Sequence, residues 1–244
     1  MEDRIQQARE KIIVALDVAS REQAFDLVKR LSGKVGAYKV GMQLYNSEGP
    51  DIVRDIQLLG GRVFIDLKFH DIPNTVAQTS RVMVRRQAFM FTLHASGGSK
   101  MMQAAQQALQ EEAEKNGLPQ PLSLAVTVLT SISQEDLRQE MGVDKPIAQH
   151  VAVLAKLAKQ SGLAGVVCSP QEISAIRQTC GKDFLIVTPG VRPTWASADD
   201  QQRITTPAQA MQAGADYLVI GRPITKAEDP AAAADKIARE MAEA

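Results

Sequence analysis

Short β-rich runs alternate with longer helical patterns along nearly the whole chain, and this alternation limits the possible folds more than any other feature. Candidate strands fall at 12–17, 37–40, 62–68, 89–94, 122–128, 165–168, 184–188 and 217–220. Helical patterns fall at about 21–31, 47–59, 75–85, 99–115, 146–160, 170–179, 207–213 and 230–243. A strand followed by a helix, repeated, implies parallel strands with helical crossovers. Eight such units in 244 residues predict an α/β fold, a (β/α)8 TIM barrel, with residues 1–244 forming a single domain. A doubly wound open sheet is the alternative. It calls for a GxGxxG turn after the first strand, and residues 12–20 carry none. No linker, low-complexity tract or shift in composition divides the chain.

Charge narrows the range of partners. The 28 basic and 28 acidic residues cancel, so no broad basic face is expected for nucleic acid or an anionic membrane. Attraction for a charged ligand must therefore be local. The first eleven residues, MEDRIQQAREK, lack the apolar core of a secretory signal, and no apolar run approaches the roughly 20 residues that span a bilayer. Cys168 and Cys180 are the only cysteines and form no CxxC motif. Cys168 lies in the apolar run GVVC and reads as a small buried hydrophobe. A reducing cytoplasm is the expected setting.

Parallel barrels build their active sites at the carboxyl ends of the strands, so ionisable residues there carry the most information. The first strand ends at Asp17 and the second contains Lys39. The third closes on Asp66-Leu67-Lys68-Phe69-His70-Asp71. Strict alternation places Phe64, Asp66 and Lys68 on one face, pointing into the barrel mouth, and Val63, Ile65 and Leu67 on the other. A buried ion pair that only locks the core is the structural alternative, but burying such a pair often fails to stabilise a fold. Flanking carboxylates favour the ammonium form, which makes Lys68 a proton donor at neutral pH. The alternating charges of Lys39, Asp66, Lys68 and Asp71 supply an oriented field suited to a carbanion forming beside the ammonium.

A second constellation follows the last strand, at Gly221-Arg222-Pro223-Ile224. Gly221 allows close backbone approach, Arg222 offers a guanidinium fork, and Pro223 is suited to open a short helix, which together predict a phosphate site. The polar connection 190–206 is long for a barrel loop and is expected to act as a lid carrying Arg192 and Gln201 to a ligand. Residues 127–131, TVLTS, offer hydroxyls to a base or carbonyl edge. His70, His94 and His150 show no metal-binding spacing; His70 and His94 read as structural, His150 as solvated, and no metal is expected.

The run DLKFHDIPNT at 66–75 resembles the signature of the orotidine 5′-phosphate decarboxylase family. The resemblance extends to IIVALD (12–17), YKVGMQLY (38–45), HASGG (94–98), VTVLTS (126–131), TPGVRP (188–193) and GRPITKAEDP (221–230). It implies a cofactor-free and metal-free conversion of orotidine 5′-monophosphate to UMP, the last step of de novo pyrimidine synthesis. On this resemblance Lys68 protonates C6 and Asp66 faces the substrate carboxylate, with Lys39 and Asp71 completing the charged network. Asp17 and Lys39 hold the ribose hydroxyls, Thr130 touches the pyrimidine, and Arg192, Gln201, Gly221 and Arg222 serve the lid and the phosphate. Asp71, Ile72 and Thr75 are expected to reach the neighbouring subunit's site, giving a homodimer with shared active sites. The segment RRQAFMF at 85–91 departs from the Gly-Val-Asp-like lead of many relatives, but it feeds a strand rather than a binding loop. Mg²⁺-dependent sugar-phosphate decarboxylases or synthases share DxKxxD on this barrel, and the IPNT continuation argues against them. A non-catalytic nucleotide-phosphate binding protein is the other rival.

Overall fold

The computed structural model of the chain describes residues 1–196 and 205–244. Eight strands close into a parallel barrel in sequence order: β1 (Ile12–Ala15), β2 (Ala37–Gly41), β3 (Val63–Phe69), β4 (Met90–His94), β5 (Leu122–Val126), β6 (Gly165–Val167), β7 (Leu185–Pro189) and β8 (Tyr217–Ile220). The (β/α)8 barrel expected from the alternation is the one observed. Its registers place functional residues side by side. Ala15 lies opposite Lys39 across β1 and β2, and Gly41 lies opposite Asp66 across β2 and β3. The pairing of Ile12 with Leu218 joins β1 to β8. All four residues of β1 are buried, as a strand covered on both faces requires.

The helices are α1 (Glu2–Glu10), α2 (Arg21–Arg30), α3 (Met42–Glu48), α4 (Asp51–Leu58), α5 (Pro73–Arg85), α6 (Gly98–Asn116), α7 (Gln134–Gln139), α8 (Ile147–Gln160), α9 (Ile173–Cys180), α10 (Pro207–Ala213), α11 (Arg222–Thr225) and α12 (Pro230–Ala242). Helix α1 was not expected from the sequence. It buries only Ile5 and Ala8, too sparse a pattern to announce itself, and Arg9 ties it to Asp235 of α12 at 2.9 Å. The helical pattern at 47–59 corresponds to α4, and a separate helix, α3, precedes it from Met42 to Glu48. Gly49 sits at φ +74°, where the helix cannot continue, and Pro50 follows without an amide to donate. Helix α7, also unexpected, starts from a reciprocal capping box between Ser133 and Asp136.

Two compact units make up the chain: residues 1–67, 88–90 and 188–244 in one, and 68–87 and 91–187 in the other. The first holds β1, β2 and β8 with the α1–α12 pair; the second holds β5, β6 and helices α5 through α9. Among the described residues, no helix is long and apolar enough to cross a membrane. Cys168 and Cys180 are both buried free thiols. His150, expected to be solvated, is half-buried, and burial together with Lys145 lowers its pKa.

Glu172 is the buried carboxyl whose titration bears on stability. It is 7% exposed and accepts the Ser169 amide at 3.0 Å, while burial raises its pKa to about 7 from an ordinary 4.5. A raised folded-state pKa means that the neutral acid favours the fold. This contribution is complete below about pH 4.5 and is lost as pH rises through about 7. Glu172→Gln keeps the accepting oxygen and removes the charge. From about pH 5 to pH 8, wild type should lose up to roughly 2–3 kcal/mol of stability relative to this variant, as read from urea midpoints. Parallel pH profiles for the two proteins would refute the assignment.

Candidate active site

The first three strands end in a chain of alternating charge. Lys39 Nζ donates to Asp17 Oδ1 at 3.2 Å and lies 3.6 Å from Asp66 Oδ2. The side chains of Lys39 and Asp66 are only 11% and 13% exposed, whereas Asp17 is 64% exposed. One ammonium thus links an open carboxylate to a sheltered one. Gly41 makes room for this contact, since a Cβ there would stand 3.0 Å from Lys39 Nζ and 3.6 Å from Asp17 Oδ1.

Lys68 follows Asp66 by two residues in β3, yet it departs from the expected alternation. Its φ is +55°, in the left-handed region that side-chain-bearing residues avoid, within a segment otherwise built as strand. The rule that Phe64, Asp66 and Lys68 share a face therefore stops at Asp66, because alternation requires extended backbone at every position. Besides Lys68, only Gln87 among the described non-glycine residues has positive φ. The Lys68 amide donates to Thr92 Oγ1 of β4 at 2.9 Å. Beyond Lys68, Phe69 packs on Phe91 with ring centroids 6.0 Å apart, and His70 lies over His94 at 5.4 Å. Asp71 accepts the Ile72 amide at 2.7 Å, which fixes its carboxylate just before α5. Asp71, Ile72 and Thr75 are all exposed, Ile72 to 66%. Thr130, past the end of β5, is also exposed.

A cavity of about 340 Å³ opens between the ends of β7 and β8, lined by Arg192, Trp195, Arg222, Pro223 and Lys226. Among the described residues, three cations and no acid line it, which suits a dianion. Arg192 is 8% exposed, and its amide donates to the Thr205 carbonyl at 3.0 Å. Gly221 precedes α11, and a Cβ there would stand 3.6 Å from Ala15 Cβ. The short helix predicted after Gly221 is present as α11, a single turn. Its dipole is slight, so the attraction of this cavity for anions rests on the side-chain charges. Gln201 lies outside the described residues, as does the middle of the connection expected to form a lid.

A family model described as "Orotidine 5'-phosphate decarboxylase / HUMPS family" matches residues 10–237. A protein from Syntrophomonas wolfei named orotidine 5'-phosphate decarboxylase is 59% identical over 97% of this chain and 100% of its own length. One of the same name from Syntrophotalea carbinolica is 54% identical over 98% and 97%. The crystal structure of orotidine 5'-phosphate decarboxylase from Lactobacillus acidophilus superposes with a TM-score of 0.84 at 40% identity, covering 94% of this chain and 98% of that one. The chain belongs to the orotidine 5'-phosphate decarboxylase / HUMPS family.

Of the residues expected at the site, the structure brings Asp17, Lys39 and Asp66 together and places Arg192 and Arg222 around one cavity, beside three residues that sequence reading had not singled out. Gly41 carried no signal beyond its place at a strand end. Lys226 lay within the run GRPITKAEDP and Trp195 within the connection 190–206, but neither was assigned a role. A cavity of about 670 Å³ borders Asp17, Gln43 and Lys226, and another of about 500 Å³ lies beside Glu10, Tyr38 and Arg62 at the amino ends of β2 and β3. In the second, Arg62 donates to the Gly36 carbonyl at 2.8 Å and lies over the Phe89 ring at 4.2 Å.

The backbone at Lys68 gives a direct prediction. Glycine adopts the left-handed region without steric cost and alanine does not. Lys68→Gly should therefore be more stable than Lys68→Ala by about 1 kcal/mol in chemical denaturation. Equal stability, or a more stable alanine variant, would contradict a left-handed residue at this position.

Proposed function

We propose that this chain decarboxylates orotidine 5′-monophosphate to UMP, with Lys68 as the proton donor. The observation that carries the reading is the chain of charge from Asp17 through Lys39 to Asp66, ending two residues before a lysine in a strained backbone. On this reading Arg192, Arg222 and Lys226 take the phosphate, with Gly221 at its edge and Gln201 contributing from the long connection. Asp17 and Lys39 take the ribose hydroxyls, and Thr130 meets the pyrimidine edge. Asp66 lies against the substrate carboxylate. The bond from C6 to the carboxylate breaks, carbon dioxide leaves, and the electron pair stays on C6. The Lys68 ammonium stabilises that charge as it forms and transfers its proton to C6; solvent then reprotonates the neutral amine. No electron is exchanged with an external acceptor, so the scheme has no step for a redox cofactor. Binding of the distant phosphate contributes energy that the reacting end can use.

The reading extends to a homodimer in which Asp71, Ile72 and Thr75 complete the partner's site. Its support is the exposure of all three, with an isoleucine two-thirds in water beside an oriented carboxylate. The family description also covers HUMPS enzymes, but the relatives named above carry the decarboxylase name alone.

Lys68→Ala should abolish turnover of orotidine 5′-monophosphate, followed by loss of orotate absorbance, while UMP still binds in calorimetry. An alanine variant as fast as wild type would remove the lysine from its role. Mixing Lys68→Ala with Asp71→Ala should regenerate activity, because one heterodimer site in two keeps both residues. No gain after native mass spectrometry has shown subunit exchange would count against shared sites.

A further inference from the structure

We infer that the Thr92 hydroxyl is a positioning device for the reacting lysine, holding residue 68 in its left-handed conformation. The inference rests on the decarboxylase reading above. Thr92 lies in the middle of β4, is fully buried, and accepts the Lys68 amide hydrogen at 2.9 Å. Its neighbours along β4 are Phe91 and Leu93, both fully buried, so the strand has little freedom to shift the hydroxyl.

The physical argument begins with direction. Reversing the sign of φ at one residue of a strand redirects the Cα–Cβ bond and turns the side chain away from where strict alternation sends it. An isolated left-handed residue tends to relax to an extended one unless its surroundings over-determine it. Three features here act on the same short stretch. The amide of Lys68 is tied to Thr92, the ring of Phe69 is seated on Phe91, and His70 is stacked on His94. The latter two fix the chain after Lys68. Of these three, the threonine contact is the one made to the peptide group whose rotation sets φ at Lys68 itself. A buried hydroxyl also suits this task geometrically, since oxygen on a β-branched side chain has few rotamers in which to wander.

Thr92 therefore touches no substrate in this scheme; it acts through Lys68. Displacement of a reacting group by about 1 Å can cost about 100-fold in rate, which sets the scale expected from removing the hydroxyl. Thr92→Val preserves shape and burial but cannot accept the amide hydrogen, while Thr92→Ser keeps the acceptor. Thr92→Val should lower kcat for orotidine 5′-monophosphate by about 10- to 100-fold and leave KM and UMP affinity within about threefold. Amide exchange at Lys68, followed by NMR, should accelerate by at least about tenfold in the valine variant and stay slow in the serine variant. Thr92→Ser should keep kcat within about threefold of wild type.

If the valine variant does not fold, Thr92→Cys, whose sulfur is a weak acceptor, should show a partial loss in kcat with the same unchanged KM. The inference is overturned if wild type is active and Thr92→Val, or its cysteine substitute, retains full kcat. It is also overturned if kcat falls but serine does not restore it, which would mark a packing role. A wild-type chain with no turnover of orotidine 5′-monophosphate would instead sink the decarboxylase reading, a result distinct from either of these.

Discussion

A lysine carrying φ +55° inside a barrel strand is the constraint around which the rest of the site is organised. For an L-residue the left-handed region costs on the order of 1–2 kcal/mol. Domain stability is only about 5–15 kcal/mol, so that cost is not trivial. Glycine would take the same backbone at no steric cost. A lysine there makes sense if the side chain itself is required, aimed in a direction that regular alternation does not reach. The surrounding packing is consistent with this: the hydroxyl of Thr92, the Phe69–Phe91 contact and the His70–His94 pair bear on three consecutive residues, Lys68, Phe69 and His70.

The charges before that residue set its electrical environment. Exposed ion pairs contribute about 0–1 kcal/mol, and buried ones often fail to repay desolvation. Lys39 and Asp66 are neither fully buried nor freely solvated, so their pairing is a poor device for stability and a reasonable one for orienting charge. Asp17, open to water on the other side of Lys39, keeps carboxylate oxygen available to a ligand's hydroxyls. Arg192, Arg222 and Lys226 line a cavity at the loops after β7 and β8, and Lys226 also borders a cavity with Asp17.

Much of this was legible in the sequence, and the exceptions have physical causes. The barrel was readable because eight short apolar runs each ended at a polar or helix-forming stretch. Asp17, Lys39 and Asp66 were readable because a charge at the end of an apolar run has few structural explanations, and the structure brings these three together. The direction of Lys68 was not readable. Alternation assumes extended backbone, and a single left-handed residue leaves no mark in side-chain identity. Thr92 was hidden for the opposite reason: threonine is an ordinary strand former, and its hydroxyl gained meaning only once β3 and β4 were placed. Helix α1 escaped notice because two buried residues in nine make too thin a stripe. The break between α3 and α4 was present in the letters Gly49-Pro50, but the apolar periodicity on either side masked it.

The central claim is that an ammonium group, placed where position 68 holds it, is what the reaction requires. Replacing Lys68 with cysteine removes that group, and treating the variant with 2-bromoethylamine rebuilds a side chain of nearly the same length ending in an amine. Cys168 and Cys180 are buried, so reaction should favour the new thiol. Decarboxylation of orotidine 5′-monophosphate should be absent in the untreated variant and return in proportion to the modification of residue 68 measured by mass spectrometry. An untreated cysteine variant that turns over normally, or a fully modified one that stays inactive while still binding UMP, would contradict the account.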